Sequence, residues 1–404
     1  MFHRRWKQRY WTSLKFYRAG GPAFILVGGE GPESPGWLEA GALHDYALQN
    51  AGAMFILGNY HNTTLGHTLD PPSEHRYYGG SRPVADLTVK NLTWLSSHQA
   101  LADISTFIVS MKEELGLTGP WLAIGGSYPG SLAGWLRLKY PHLIAGALAA
   151  SGPVNAKPNF PEYLEVVDTA LKAESEDCSV AVKRAVNKVI SLTQNTQSWN
   201  KLGKMFRLCQ PFDGSKAGLA TLVETLLGNL ETVVQYNRDK KTGPGSNVTT
   251  SMVCHIMTQE VTGSTLTRFS QLNDLSLKIA GSQCLDADYN NKSQNWICCE
   301  IGIIIVLLLV LMLRRTDYTD PISRVPGDTG NRQWLYQTCT EFGWYQSSDQ
   351  HGGMSHDTSL PVDNKFSSQI THLETSFLWT SLSSCVQTYL ALSLTWIFCR
   401  EAFR

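Results

Sequence analysis

Short, wholly apolar runs separated by stretches of helical periodicity constrain this chain more than any other feature. Ala23-Phe24-Ile25-Leu26-Val27 breaks at Gly28-Gly29, Ala53-Met54-Phe55-Ile56-Leu57 repeats the pattern, and Trp121-Leu122-Ala123-Ile124 forms a third run. Runs of this length without polar alternation suit strands buried on both faces. Ahead of the third run, Leu101, Ile104, Phe107, Ile108, Met111 and Leu115 recur at helical spacing. They follow a Ser96-Ser97-His98-Gln99 capping box, and Gly116 closes the segment. Gly130 to Tyr140 reads as a further helix and Ala145 to Ala150 as a fourth strand. Strand, helix and strand in quick alternation predict an α/β domain with a mostly parallel sheet. Upstream, Tyr10, Trp11, Leu14, Phe16 and Tyr17 alternate with polar residues, as in early β-structure of a domain already under way.

The sharpest local feature is Ile124-Gly125-Gly126-Ser127-Tyr128-Pro129-Gly130-Ser131-Leu132-Ala133, where a buried strand gives way to a helix. A nucleophilic serine needs its Oγ lifted out of the sheet on a strained strand-to-helix turn, with small neighbours to prevent clashes. Gly125 and Gly126 meet that need. The pattern G-x-S-x-G asks for glycine two residues after the serine, whereas Pro129 stands there with Gly130 next. Proline is compatible with the first helical turn because its missing N–H would have had no partner. The backbone N–H of Tyr128, at a helix start, suits a developing oxyanion. A second donor is expected from Gly28-Gly29-Glu30-Gly31-Pro32, with Gly29 as the residue concerned. The plainer alternatives are that Gly-Gly-Ser is ordinary loop chemistry and Gly-Gly-Glu-Gly-Pro only a tight turn. Glu30 reads either as a carboxylate that holds a peptide amino terminus or as a loop carboxylate paired with a cation.

Composition narrows the rest. Lys+Arg number 34 and Asp+Glu 34, with no basic stripe, so nucleic-acid binding is excluded as the main function. The nine cysteines form no paired C-x-x-C motif with histidine at zinc spacing, so neither a metal nor another cofactor is expected. Four N-x-S/T sequons begin at Asn62, Asn91, Asn247 and Asn291. With the well-separated Cys178, Cys209, Cys254, Cys284 and Cys339 they point to an oxidising secretory compartment and a glycoprotein. Met1 to Trp11 carries basic residues with no apolar stretch behind them and is not a secretory signal, so either the protein is cytosolic or its start is missing; the early β-pattern from Tyr10 to Tyr17 favours a missing start. Trp296 to Leu313 is apolar apart from Glu300 and stops at Arg314-Arg315. It reads as a membrane-spanning helix or as a buried core segment. Thr375 to Cys399 is a weaker, Ser/Thr-rich candidate span.

The same residues resemble a family of serine exopeptidases that includes prolyl carboxypeptidase, dipeptidyl peptidase two and thymus-specific serine protease, the last most of all. The likeness lies in Gln8-Arg9-Tyr10-Trp11, Gly28 to Pro32, His75-Arg76-Tyr77-Tyr78-Gly79, Leu95 to Asp103, Gly125 to Ser131, Leu138 to His142, Phe160-Pro161-Glu162-Tyr163 and Gln337 to Gly343. It covers about residues 8–57, 74–290 and 331–346. The resemblance implies an α/β-hydrolase fold with an inserted helical cap, Ser127 as nucleophile, and peptide substrates trimmed near a terminus, often beside proline. It implies a lysosomal, endosomal or extracellular location, with membrane association through 296–313 if that run is a span. Residues 8–157 are then the first part of the hydrolase domain and 158–346 a helical cap, interrupted by the apolar segment 296–315. Residues 347–404 stay an unassigned tail.

The sequence departs from that family where the triad should be completed. The family's Asp-Pro-Trp context and following histidine are not found after Cys339, so the C-terminal part of the hydrolase domain is expected to be missing or replaced. The order Ser, Asp, His is met formally by Asp349 or Asp363 with His372. Residues 58–73, 295–331 and those beyond Asp349 look foreign to the likeness and are expected to be inserted or replaced stretches. Two functions follow: an impaired serine exopeptidase, or a membrane-anchored, catalytically dead hydrolase-fold glycoprotein that binds. Esterase action on the same fold is a weaker third.

Overall fold

The computed structural model describes residues 10–31, 33, 35–57, 75–79, 81–84, 86–237, 248–288 and 330–346. The chain divides between Phe160 and Pro161 into two compact units, and the segment 330–346 belongs with the first. The sequence-based division placed 331–346 in the helical part; the structure instead packs it on the sheet.

The first unit is a five-stranded sheet of β1 (Tyr10–Ser13), β2 (Ala23–Leu26), β3 (Ala53–Leu57), β4 (Trp121–Gly126) and β5 (Ile144–Ala150), in the order β1-β3-β2-β4-β5. β1 runs antiparallel to β3, and every other pairing is parallel. Helices α1 (Ala42–Asn50), α2 (Ser97–Leu115) and α3 (Tyr128–Lys139) are the connections that parallel pairing demands. Ile25, Met54, Phe55, Ile56, Trp121 and Ala123 are fully buried, and Trp121 stacks on Phe55 with ring centroids 4.8 Å apart. The α2 stripe of Leu101, Ile104, Phe107, Ile108 and Met111 is buried as its spacing requires. Ser96 accepts a hydrogen bond from the Gln99 N–H at 3.3 Å, and Gly116 ends the helix at φ 60°. β5 differs from the inner strands: it lies at the sheet edge, only Ile144 is buried, and Ala147 to Ala150 are exposed.

Helix α10 (Asn331–Gln337) runs into a π turn (Thr338–Phe342). β7 (Gly343–Tyr345) then pairs in parallel with β6 (Lys157–Asn159). Phe342 stacks on Trp344 at 4.3 Å and lies in the same apolar cluster as Leu132 and Leu136 of α3.

The second unit holds α4 (Glu162–Glu174), α5 (Glu176–Thr193), α6 (Thr196–Met205), α7 (Lys216–Gln235), α8 (Thr250–Thr258) and α9 (Thr265–Ile279). Their apolar stripes meet in one core that includes Leu171, Val182, Leu202, Phe206, Leu222 and Met257. Cys178–Cys254 and Cys209–Cys284 are disulfides within this unit, a pairing that spacing alone left open. Asp168 is buried between α4 and α5. Burial pushes its carboxyl up, but hydrogen bonds from Ser179, Lys183 and Lys172 outweigh this and hold it below the usual range. Among the described residues α7 alone is long and apolar enough to cross a membrane, and it contributes Leu222, Leu226, Leu227 and Leu230 to the helical core. The candidate spans 296–313 and 375–399 lie outside the described residues.

Glu231 on α7 makes the stability of this unit depend on pH. Burial, and then the charge of Glu224 two turns earlier, push its carboxyl up to about 7. A carboxyl raised on folding stabilises fully below its unfolded value near 4.5, and that contribution is lost as pH rises through about 7. Glu231→Gln is therefore expected to raise stability by about 1–3 kcal/mol at pH 8 and to leave it unchanged at pH 4. Urea midpoints measured from pH 4 to 8 check this, and a gain that is equal at both ends would contradict it.

Candidate active site: a strained serine turn

The glycines around Ser127 have unequal duties. A Cβ on Gly125 would run into the Pro129 carbonyl and stand 2.7 Å from the Gly130 nitrogen, whereas a Cβ on Gly126 would meet nothing closer than the Ala150 oxygen at 3.9 Å. A Cβ on Gly130 would lie 2.8 Å from the Ala150 oxygen, and one on Gly152 would lie 2.7 Å from the Ser131 nitrogen. Gly125, Gly130 and Gly152 therefore let the start of α3 press against the ends of β4 and β5.

Ser127 sits at that junction with φ 59° and ψ −135°. A non-glycine residue at positive φ costs about 1–3 kcal/mol and persists only where its surroundings over-determine it. Two bonds do so directly: the Ser127 N–H donates to the Ala150 oxygen at 2.9 Å, and the Ser131 N–H donates to the Ser127 oxygen at 3.1 Å. The serine is exposed, while its neighbour Tyr128 is buried. Among the described residues no hydrogen bond engages the Ser127 hydroxyl.

α3 begins at Tyr128, two residues before the position read from the sequence, because Pro129 fits the first turn. That leaves the Tyr128 N–H among the helix-start donors with no partner inside the helix. The Pro129 ring occupies the position where glycine was expected, and the opposite loop yields the space: a Cβ on Gly29 would fall 2.6 Å from Pro129 Cδ. Ser127, Tyr128 and Gly29 are thus brought together. Glu30 follows in the same loop, and burial raises its carboxyl above the usual range, partly offset by its own backbone hydrogen bond. The carbonyl of Glu30 abuts Gly330, where any Cβ would crowd it.

Sequence reasoning missed a polar network beneath the turn. His75 Nε2 lies 2.9 Å from the Tyr128 hydroxyl, and Gln337 Nε2 donates to that hydroxyl at 3.0 Å. Gln337 also donates to Glu341 at 2.9 Å and accepts from the Tyr78 hydroxyl at 2.7 Å. Glu341 accepts from the backbone N–H and hydroxyl of Ser97. Arg76 clamps the loop by donating to both Asp103 oxygens at 2.7 Å. His75 to Gly79 and Gln337 to Gly343 each stood out as blocks, but nothing in either block indicated that they meet.

Asp349, Asp363 and His372, the formal partners of Ser127, lie outside the described residues, as do Asn62, Asn247 and Asn291. Asn91 opens a 3₁₀ turn and donates to Asp86 at 2.7 Å. Among the described residues no group of His, Cys, Asp and Glu could hold a metal ion.

A family model described as serine carboxypeptidase S28 matches residues 2–371. A putative serine protease of Caenorhabditis elegans is 33% identical over 350 residues, covering 85% of this chain and 60% of the relative. The thymus-specific serine protease of Homo sapiens is 31% identical over 354 residues, again 85% of this chain and 60% of the relative. The lysosomal Pro-X carboxypeptidase of Mus musculus is 32% identical over 222 residues, 53% of this chain and 42% of its own. The chain thus spans about 60% of the length of the first two.

Proposed function

Because the chain belongs to the serine carboxypeptidase S28 family of serine peptidases, we propose that Ser127 is the nucleophile of an exopeptidase site that works through an acyl-enzyme. The single observation that carries this reading is the exposed Ser127 at φ 59° and ψ −135° on the β4–α3 turn. Its Oγ attacks the scissile carbonyl carbon, and the carbonyl oxygen becomes an oxyanion facing the N–H groups of Tyr128 and Gly29. The amine then leaves with a proton, and water hydrolyses the ester. Glu30, one residue beyond Gly29, contacts the substrate. The substrates are peptides cut near a terminus, carboxypeptidase or dipeptidyl-peptidase fashion, with a preference for proline that the name of the mouse relative supports.

Slow turnover is part of the proposal. A serine hydroxyl with no base engaged is a poor nucleophile, and loss of a triad member costs on the order of 10⁴–10⁶ in rate. The two disulfides support a secretory or lysosomal location, where the sequon asparagines, Asn91 among them, would carry glycans.

The alternative is a membrane-anchored, catalytically dead hydrolase-fold module that binds. The uncharged run Ile301–Leu313 favours it, as does the lack, among the described residues, of a hydrogen bond to the Ser127 hydroxyl. A fluorophosphonate probe separates the two. We expect slow, stoichiometric labelling that disappears in Ser127→Ala. A folded chain that stays unlabelled, with carbonate-resistant membrane association, would replace the peptidase reading by the binding module.

A further inference from the structure

We propose that Gln337, acting with His75, is a positioning residue of the Ser127 turn: the two hold the phenol of Tyr128 and thereby aim the Tyr128 amide at the oxyanion. The inference rests on Ser127 as nucleophile and adds the device that keeps its strained turn in place.

Proton directions make the clamp specific. Gln337 spends both amide hydrogens, one on the Tyr128 hydroxyl and one on Glu341, and its oxygen accepts from Tyr78. The Tyr128 hydroxyl, already accepting from Gln337, directs its own proton to His75 Nε2. His75 must then carry its proton on Nδ1, which donates to the Arg76 oxygen at 2.9 Å. That requires a neutral ring, and burial pushes the His75 imidazole down to about 4. Turning the Gln337 amide over would set its oxygen against the Glu341 carboxylate, so Glu341, held by Ser97, fixes its orientation. Gln337 is fully buried, and each of these groups has a named partner.

Apolar contacts complete the cage. The Tyr128 ring lies 5.3 Å from Phe342, 5.4 Å from Trp334 and 5.6 Å from His75, all measured between centroids. A ring held at its tip and on its faces leaves little freedom at its own Cα, and that Cα adjoins the residue in the costly conformation. Oxyanion donors act by being preorganised, and displacement on the order of 1 Å costs roughly 10²-fold in rate.

The test uses the full chain with Gln337→Leu, Gln337→Glu and Tyr128→Phe. Saturation kinetics of the fluorophosphonate should show a maximal labelling rate about 10–100-fold lower in Gln337→Leu, with the half-saturating concentration changed less than about threefold. The carboxyl introduced by Gln337→Glu can donate to Tyr128 only when protonated, so its labelling rate should recover as pH is lowered, relative to wild type. The double variant of Tyr128→Phe with Gln337→Leu should be no slower than the worse single variant. Independently of chemistry, backbone ¹⁵N order parameters at Ser127 and Tyr128 should fall from the rigid value of about 0.85 towards about 0.6 in Gln337→Leu. Unchanged order parameters in a folded variant overturn the clamp, as does a wild-type labelling rate there. Lowered order parameters in a chain whose wild type is never labelled would keep the clamp and overturn the nucleophile instead.

Discussion

Gly125→Ala is expected to abolish Ser127 labelling and to destabilise the sheet unit by about 3 kcal/mol or more, while Gly126→Ala changes stability by less than about 1 kcal/mol. The two glycines are neighbours with the same local signal, yet only one is enclosed. The new methyl at 125 would meet the Pro129 carbonyl and the Gly130 nitrogen. These are backbone atoms at the start of α3 that cannot turn aside as a flexible side chain would. At 126 it would find the Ala150 oxygen at an ordinary 3.9 Å. Guanidinium midpoints of the two variants, read beside their labelling rates, check the contrast. Equal losses at both positions would show that the helix start does not press on β4 as described.

Removing the Cys178–Cys254 bridge as Cys178→Ala with Cys254→Ala is expected to cost about 2–5 kcal/mol. The bridge joins α5 to α8 across a sequence separation of 76, so its loss restores a large loop to the unfolded chain. Cysteine at 178 is itself fully buried in the helical core, so the alanines also forfeit packing. Trp199, the one tryptophan among the described residues of that unit, packs on Phe212 at 5.3 Å and reports its unfolding by fluorescence. A midpoint that is the same with and without the bridge would contradict the prediction.

Local signals carried the reading a long way. Ser96 and Gly116 bound α2 as the capping chemistry demands, and its apolar stripe is the buried face. The strands at 23, 53 and 121 were legible because an unbroken apolar run has few alternatives to burial in a sheet. β4 extends through Gly125 and Gly126, past the last apolar residue, since pairing to Ala149 and Ala150 of β5 holds two glycines that propensity alone would not. The placement of 331–346 failed for a similar reason. Its partners, β6 and the apolar cluster of the sheet unit, lie far away along the chain, where no local signal points to them.

What the sequence by itself determined is whatever short-range chemistry decides: the alternation of strands and helices, the small residues around Ser127, the proline admitted to a first turn. The tertiary structure alone decided which cysteines pair, which of two adjacent glycines is indispensable, and what lies beneath Tyr128. His75 is 53 positions from that tyrosine and Gln337 is 209. No periodicity reaches so far, because hydrogen bonds act over about 3 Å and only folding brings such distant atoms within that range.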